Sequence, residues 1–168
     1  MVSIELSLFA SYFQFYIMDE TADPDLSDAW TEEAMDRMLA IAPGMGMLGI
    51  GTAKNTGFVP VIMDVLEREP INDFAEWDHV VEAGLDVPSG RIVIAGCTDY
   101  FPDAVRVDVP PGRYRVRISY GALDTVAKNG IDGDDHYRLQ LWPGTAAGVR
   151  ILKQRSKQSG GPASGGEV

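Results

Sequence analysis

The chain has 168 residues, enough to bury the core of one domain without disulfide bonds or metal ions. Its 25 Asp and Glu residues outnumber 14 Lys and Arg residues and give a formal net charge of −11, which disfavours nucleic acid and anionic membranes as partners and favours basic proteins. Residues 150–168 hold four basic residues and one acidic residue, so residues 1–149 carry −14. We therefore predict a single domain over residues 1–149, followed over residues 150–168 by a basic and then Gly- and Ser-rich flexible tail.

Cys97 is the only cysteine, so no intrachain disulfide can form, and a reducing compartment, most simply the cytoplasm, is predicted. The apolar stretch from Leu6 to Met18 has no Lys or Arg before it and no small-residue cleavage site after it, which argues against a signal segment. No apolar run is long enough to span a bilayer.

The first strand pattern changes face part of the way along. Ile4, Leu6 and Leu8 are apolar at even positions, whereas Phe13, Phe15 and Ile17 carry the apolar side chains at odd positions. Because strand side chains alternate with a period of two, such a change predicts a bulge or a switch between sheets around residues 9–11.

One helix is predicted after the acidic loop of residues 19–28. Thr31 is a favourable N-cap, and Glu32 and Glu33 suit the positive end of the helix dipole. The helix is expected to continue to Pro43-Gly44, because an apolar stripe at spacings of three and four follows: Met35, Met38, Leu39 and Ala42.

The next segment contains Gly44, Gly46 and Gly49, which formally match G-x-G-x-x-G. A dinucleotide site is not predicted, since these glycines follow a helix instead of joining a strand to a helix N-terminus. A glycine-rich strand is expected, and then a strand over residues 57–67, where Pro60 favours an edge or a bulge.

Two β-hairpins are predicted in the second half of the chain. The first joins residues 77–87 and 91–97 through Pro88-Ser89-Gly90, and the second joins 105–109 and 114–120 through Pro110-Pro111-Gly112. Their alternation places one apolar face inwards, which requires a second layer. With the final strand over residues 137–142, the pattern predicts a mainly β protein: an antiparallel β-sandwich, jelly-roll-like, with one short α-helix.

The predicted second hairpin places Arg106 opposite Arg117 on its outer face. Like charges directly opposed are unfavourable, so an acidic residue is expected beside them. An arginine site for a carboxylate or a phosphate is the alternative.

No residue cluster predicts catalysis, a metal site or a cofactor. Cys97 could be a nucleophile with His79 or His136 as its base. A buried, inert thiol is favoured instead, because Cys97 follows an apolar strand. The cluster Asp132, Asp134, Asp135 and His136 lacks EF-hand spacing and favours a turn. His79 and Glu82 fall on opposite faces of one strand and cannot chelate together.

Four segments together resemble the competence protein J family between about residues 3 and 120. They are ELSLFASYFQFYIMDE at residues 5–20, WTEEA at 30–34, Asn55-Thr56, and VPPGRYRV at 109–116. The resemblance implies an all-β sandwich with one helix, no catalysis of its own, and a protein partner, since members of that family look like small partners and inhibitors of a DNA-entry nuclease.

The leading hypothesis is therefore a non-catalytic, nuclease-inhibitor-like or immunity-like protein that uses an acidic surface against a basic protein partner. Interface hot spots favour aromatics set among complementary charge, so the candidate contact residues are Asp99, Tyr100, Asp132, Asp134 and Asp135. The alternative hypothesis is a β-sandwich that binds a carbohydrate or small ligand through exposed aromatics, namely Trp77, Trp142 or Tyr100.

Overall fold

The computed structural model describes residues 2–156, which form two packed β-sheets and one short α-helix, as predicted. The alternating apolar residues of both sheets point into one shared core, which is the physical reason for the sandwich. The elements are β1 (Val2–Ala10), β2 (Gln14–Asp19), α1 (Glu32–Arg37), β3 (Leu39–Ile41), β4 (Met47–Gly51), β5 (Gly57–Val65), β6 (His79–Val87), β7 (Arg91–Gly96), β8 (Val105–Asp108), β9 (Gly112–Gly121), β10 (His136–Pro143) and β11 (Arg150–Lys153).

Sheet A has six strands in the order β1-β5-β10-β9-β6-β11, and sheet B has five in the order β3-β4-β2-β7-β8. Neighbouring strands are antiparallel except β5 and β10, which are parallel. The centre of the core is filled by side chains that are fully buried, among them Phe15, Ile17, Leu48, Ile50, Val116, Ile118, Leu139 and Leu141.

The predicted change of face near residues 9–11 is confirmed as a switch between sheets. β1 belongs to sheet A and β2 to sheet B. The connection reverses through Tyr12 and Phe13, whose φ angles of 56° and 63° lie in the left-handed region. The parity of the apolar side chains changes because each strand faces the core from the opposite side.

Helix α1 begins as predicted but ends early. The Thr31 hydroxyl accepts a hydrogen bond from the Ala34 N–H at 3.1 Å, and Met38 ends the helix in the left-handed conformation. Residues 39–41 then form β3 against β4, because Leu39 and Ile41 are also apolar at the spacing of a strand. The apolar stripe is only partly in the core: Met38 and Leu39 are buried there, whereas Met35 is 56% exposed.

Both predicted hairpins are wrong, because each pair of strands is divided between the sheets. β6 and β9 pair with each other in sheet A, and β7 and β8 pair in sheet B. The connections between β6 and β7 and between β8 and β9 are therefore arches that lead from one sheet to the other. The alternation identified the inward side chains correctly, since Val107, Val109, Tyr114 and Val116 are at most 9% exposed, but Val105 at the start of β8 is exposed.

The glycine-rich strand is confirmed as β4. A Cβ on Gly49 would lie 2.8 Å from Leu26 and 3.1 Å from Trp30, so glycine permits the overlying loop to approach. Pro60 lies in β5, which is an inner strand of sheet A and not the edge strand that Pro60 favoured. Its pairing with β10 begins only at Val61, so Pro60 has a partner strand on one side.

The predicted C-terminal tail is partly incorporated into the sheet. β11 pairs with the edge of β6, and the Arg150 guanidinium lies 4.0 Å from the Glu82 carboxylate. The prediction that the flexible tail begins at residue 150 is therefore corrected. The buried Glu82 carboxylate and the otherwise unpaired edge of β6 hold this basic segment against the domain. Residues 157–168 of the predicted tail lie outside the described residues.

Candidate functional site

Four connections lie together at one end of the sandwich, which we call the loop end: residues 11–13, 52–56, 97–104 and 122–135. β1, β4, β7 and β9 end there, and the strands that follow them in the chain, β2, β5, β8 and β10, begin there. The strand register shows this directly, since Phe15 lies beside both Ile50 and Gly96, and Ala10 lies beside Gly57. Contacts join the connections, because the Phe13 N–H donates to Asn55 O and the Asn55 N–H donates to Gly130 O.

The loop end exposes large apolar side chains. Tyr12 is 73% exposed, and the others are Phe13, Phe58, Tyr100, Phe101 and Ile131. Phe58 packs edge-to-face on Phe9 at 5.1 Å between ring centroids, so the patch continues onto β1. Exposed aromatics concentrated at one place are typical of a protein-binding surface.

Acidic side chains surround these aromatics. Asp99 accepts a hydrogen bond from the Gly96 N–H at 2.8 Å, and Asp132 accepts one from the Asn129 amide at 2.9 Å. Neither of these hydrogen bonds comes from a Lys or Arg side chain. The structure brings four of the five sequence-predicted contact residues to the loop end with exposed side chains: Asp99, Tyr100, Asp132 and Asp134.

Asp135, the fifth predicted contact residue, is completely buried. One of its oxygens accepts hydrogen bonds from the Tyr137 hydroxyl and the Lys54 N–H, and the other lies 3.6 Å from the Lys54 ammonium group. Lys54 also donates to the carbonyl oxygens of Phe58 and Gly133 at 3.1 and 3.3 Å. Asp135 is thus a corrected prediction: its charge holds two loop-end connections together and is not available to a partner.

Tyr137, which contacts Asp135, is itself buried in the core. Burial raises the pKa of the Tyr137 hydroxyl above its usual value, and the charge of Asp135 raises it further. The neutral hydroxyl therefore persists as the donor that satisfies the buried carboxylate.

Sequence analysis missed Tyr12, Phe13 and Phe58 as surface residues. Two of them stand at the position where the apolar pattern changes face, and that change was the available signal: aromatics in a sheet-to-sheet turn have no core to enter. Phe58 gave no such signal, because β5 is apolar on both faces and its sequence does not distinguish the exposed positions of Phe58 and Ile62 from the buried positions between and after them.

The predicted acidic loop of residues 19–28 is part of a longer acidic stretch, since residues 19–36 contain eight acidic residues and no Lys or Arg. This stretch runs over the outer face of sheet B, where the Trp30 indole N–H donates to Gln14 at 2.9 Å and Leu26 covers Gly49. Glu20 is paired with Arg106 at 2.7 Å, whereas Asp23, Asp28 and further acids are exposed. The exposed acids of this stretch therefore lie near Gln14, which follows the connection of residues 11–13.

Among residues 2–156, no hydrogen bond joins Cys97 to His79 or to His136, whose Nδ1 contacts Asp134 O. Cys97 is half-buried beside Tyr16, whose pKa is raised by burial and by contact with the thiol. Buried His79 has a lowered pKa because of its desolvation; its Nε2 contacts Arg37 O at 2.8 Å, and its Nδ1 accepts the Arg155 N–H at 3.1 Å. Within residues 2–156, no three His, Cys, Asp or Glu side chains are grouped closely enough to hold a metal ion.

The three aromatics of the ligand-binding alternative do not share a surface. Trp142 is 6% exposed under the Arg117 guanidinium, and Trp77 is half-buried with Arg138 stacked 4.7 Å from its ring centroid. Tyr100 is exposed at the loop end. A flat stacking platform for a sugar is therefore not formed by these residues.

In the part of the chain that the structure describes, no helix has the length and apolar character needed to cross a membrane.

Two solved structures share this fold. One is ComJ from Bacillus subtilis, an inhibitor of the DNA-degrading activity of NucA; it is 21% identical, with 86% of this chain and 96% of ComJ covered and a TM-score of 0.62. The other is crocagin biosynthetic protein J, 19% identical, with 86% and 100% covered and a TM-score of 0.59. No protein-family model matches the chain, and no curated protein matches it either. The predicted resemblance is confirmed at the level of the fold.

Proposed function

We propose that the chain is a non-catalytic, nuclease-inhibitor-like binding protein whose loop end, with the adjoining acidic surface, contacts a basic protein partner. The observation that carries this proposal is the combination of exposed aromatics with acids at one end of a rigid sandwich. Tyr12 and Tyr100 provide apolar contact area, while Asp99 and Asp132 provide negative charge beside it. Such a combination suits a positively charged protein surface better than a small ligand.

Electrostatics supports the same partner. Most cations of the described residues lie within 4.0 Å of a carboxylate, so the surplus of acids determines the field of the surface. DNA-binding channels of nucleases are positive, and an acidic domain can occupy such a channel in place of the DNA backbone. The likeness in fold to a nuclease inhibitor agrees with this role.

The proposal is tested with NucA and with nucleases captured from the native host by the immobilised chain. We expect a stoichiometric excess of the chain to suppress cleavage of fluorogenic DNA at low salt. If NucA is uninhibited and no captured nuclease is inhibited, the proposal is wrong.

The place of contact is tested with Tyr12→Ala. Loss of an aromatic hot spot costs about 2 kcal/mol, which weakens binding roughly 30-fold. Ile71→Ala is the matched control, because Ile71 is 88% exposed but lies in the connection over sheet A. Equal affinities of the two variants would place the contact elsewhere.

A further inference from the structure

A cavity of about 290 Å³ lies on the outer face of sheet A, towards the end opposite the loop end. It has no part in the function proposed above. It is lined by charged, aromatic and small residues: Glu69, Glu82, Arg115, Trp142, Gly144, Thr145, Ala146 and Arg150.

The charges buried beside this cavity are not balanced. Glu82 is 1% exposed and accepts hydrogen bonds from Nε of Arg117 at 2.8 Å and Nε of Arg115 at 3.4 Å. Arg117 has a second carboxylate partner, Glu69, at 3.3 Å. Arg115, only 5% exposed, shares Glu82 with Arg117 and otherwise donates to carbonyl oxygens of Ala146 and Gly148. Because Arg115 shares its one carboxylate partner with Arg117, the positive charge of this buried guanidinium is only partly neutralised.

Unused hydrogen-bond donors face the same space. The three bonds of Arg115 to described residues use Nε and Nη1, which leaves Nη2. The indole N–H of buried Trp142 has no hydrogen-bond partner among residues 2–156 and lies 3.9 Å from the position of a Cβ on Gly144 in the cavity lining. Arg150, with its side chain 65% exposed, adds a third donor group at the rim.

We propose that this cavity binds a small oxyanion, a carboxylate or phosphate group, held between Arg115 and Arg150 and by the indole N–H of Trp142. Guanidinium groups match both anions through paired N–H donors, and both oxygens of Glu82 already lie against arginines. A volume of about 290 Å³ is several times the roughly 30 Å³ of one water molecule, so the anion fits with some of its hydration.

Binding would also strengthen the attachment of the C-terminal segment. Arg115 already holds the connection between β10 and β11 through the carbonyl oxygens of Ala146 and Gly148. An anion that bridges Arg115 to Arg150 adds a second link between that connection and the sheet.

The test uses the ¹⁵N-labelled full chain, whose three tryptophans give three indole N–H signals. Sodium phosphate and sodium acetate are titrated separately against sodium chloride at constant ionic strength. We expect one indole signal, the one absent from Trp142→Phe, to shift saturably. Saturation by phosphate alone assigns a phosphate ligand, and saturation by acetate alone assigns a carboxylate.

Arg150→Gln should weaken the binding roughly tenfold, the effect of one lost charge-assisted hydrogen bond. Because Arg150 is largely exposed, this variant keeps the fold. Arg113→Gln is the matched control, since Arg113 pairs with Asp86 at 3.2 Å and does not line the cavity. The proposal is overturned if neither salt shifts the Trp142 signal beyond chloride, if all three indole signals shift alike, or if both arginine variants bind equally.

Discussion

Two carboxylates that the sequence places among ordinary strand and loop residues are buried against cations: Glu82 in β6 and Asp135 just before β10. Each holds together segments that are distant in the chain. The acid predicted to lie beside Arg106 and Arg117 is found, but as separate residues: Glu20 contacts Arg106 and Glu82 contacts Arg117, because the two arginines belong to different sheets.

Glu82→Gln should lower the free energy of unfolding by about 3–5 kcal/mol, because it leaves buried Arg115 and Arg117 without their shared charge. Urea denaturation measures this change. Glu69→Gln removes a carboxylate that is 62% exposed from the same Arg117 and should cost less than about 1 kcal/mol. Similar losses from both variants would show that Glu82 is not the buried counter-charge described here.

Asp19 determines part of the acid stability. Burial raises its pKa, but hydrogen bonds from Ser89 and Thr21 offset this and leave the pKa below its usual value. A lowered folded-state pKa contributes stability that is complete above the unfolded pKa of about 3.9 and is lost as the pH falls through the folded value. In urea titrations between about pH 3 and pH 6, we expect Asp19→Asn to flatten the acid side of the stability curve. Asp23→Asn, an exposed acid of the same loop, should leave that slope unchanged.

At the scale of elements, the short connections between β6 and β7 and between β8 and β9 form arches between the sheets instead of hairpins. The loop between β8 and β9 contains Pro110 and Pro111, which have no N–H to donate to a ladder. The chain therefore crosses the core after Val109, and β8 pairs with β7 instead. Both strands still direct their apolar residues into the same core, so the alternation is identical for an arch and for a hairpin.

Strand β11 is held mainly by polar contacts, since Ile151 is about half exposed, the Lys153 ammonium donates to Phe74 O and the Arg155 N–H donates to His79. Truncation after Gly148 should therefore lower the free energy of unfolding by roughly 1–3 kcal/mol, the cost of leaving buried donors and acceptors unpaired. Thermal denaturation checks this. Truncation after Ser156 removes a segment whose only large apolar residue is Val168 and should leave the melting temperature unchanged.

For the whole molecule, the net charge of −11 should act mainly on the rate of association with a basic partner. Rising salt is expected to slow association more than it speeds dissociation in surface plasmon resonance. The double variant Asp132→Lys, Asp134→Lys should likewise slow association more than it speeds dissociation. It should keep the fold, because both residues are exposed. Asp135 is left intact in this variant, since reversing its buried charge would disrupt Lys54.

Glu5→Lys with Glu67→Lys is a charge-matched control: both carboxylates are exposed, one in β1 and one after the end of β5, and both lie outside the loop end. If the Asp132 and Asp134 variant associates as fast as the unaltered chain at low salt, that loop is not in the contact.

The sequence alone determined the local features whose causes are local. A period of two marked the strands and their inward faces, the change of face marked the sheet switch, and Thr31 with two glutamates marked the start of α1. It also determined the surplus of acid and the aromatic and acidic character of residues 99, 100, 132 and 134.

Only the tertiary structure decided which strands pair, because a strand's alternation fixes the face that it buries and not the neighbour that satisfies its backbone. It therefore decided that β6 and β7 are in different sheets and that β3 replaces the last turns of the predicted helix. It likewise decided that Asp135 is buried while Asp132 is exposed: two aspartates three residues apart look alike in a sequence, and burial depends on the cation, here Lys54, that the fold brings to one of them.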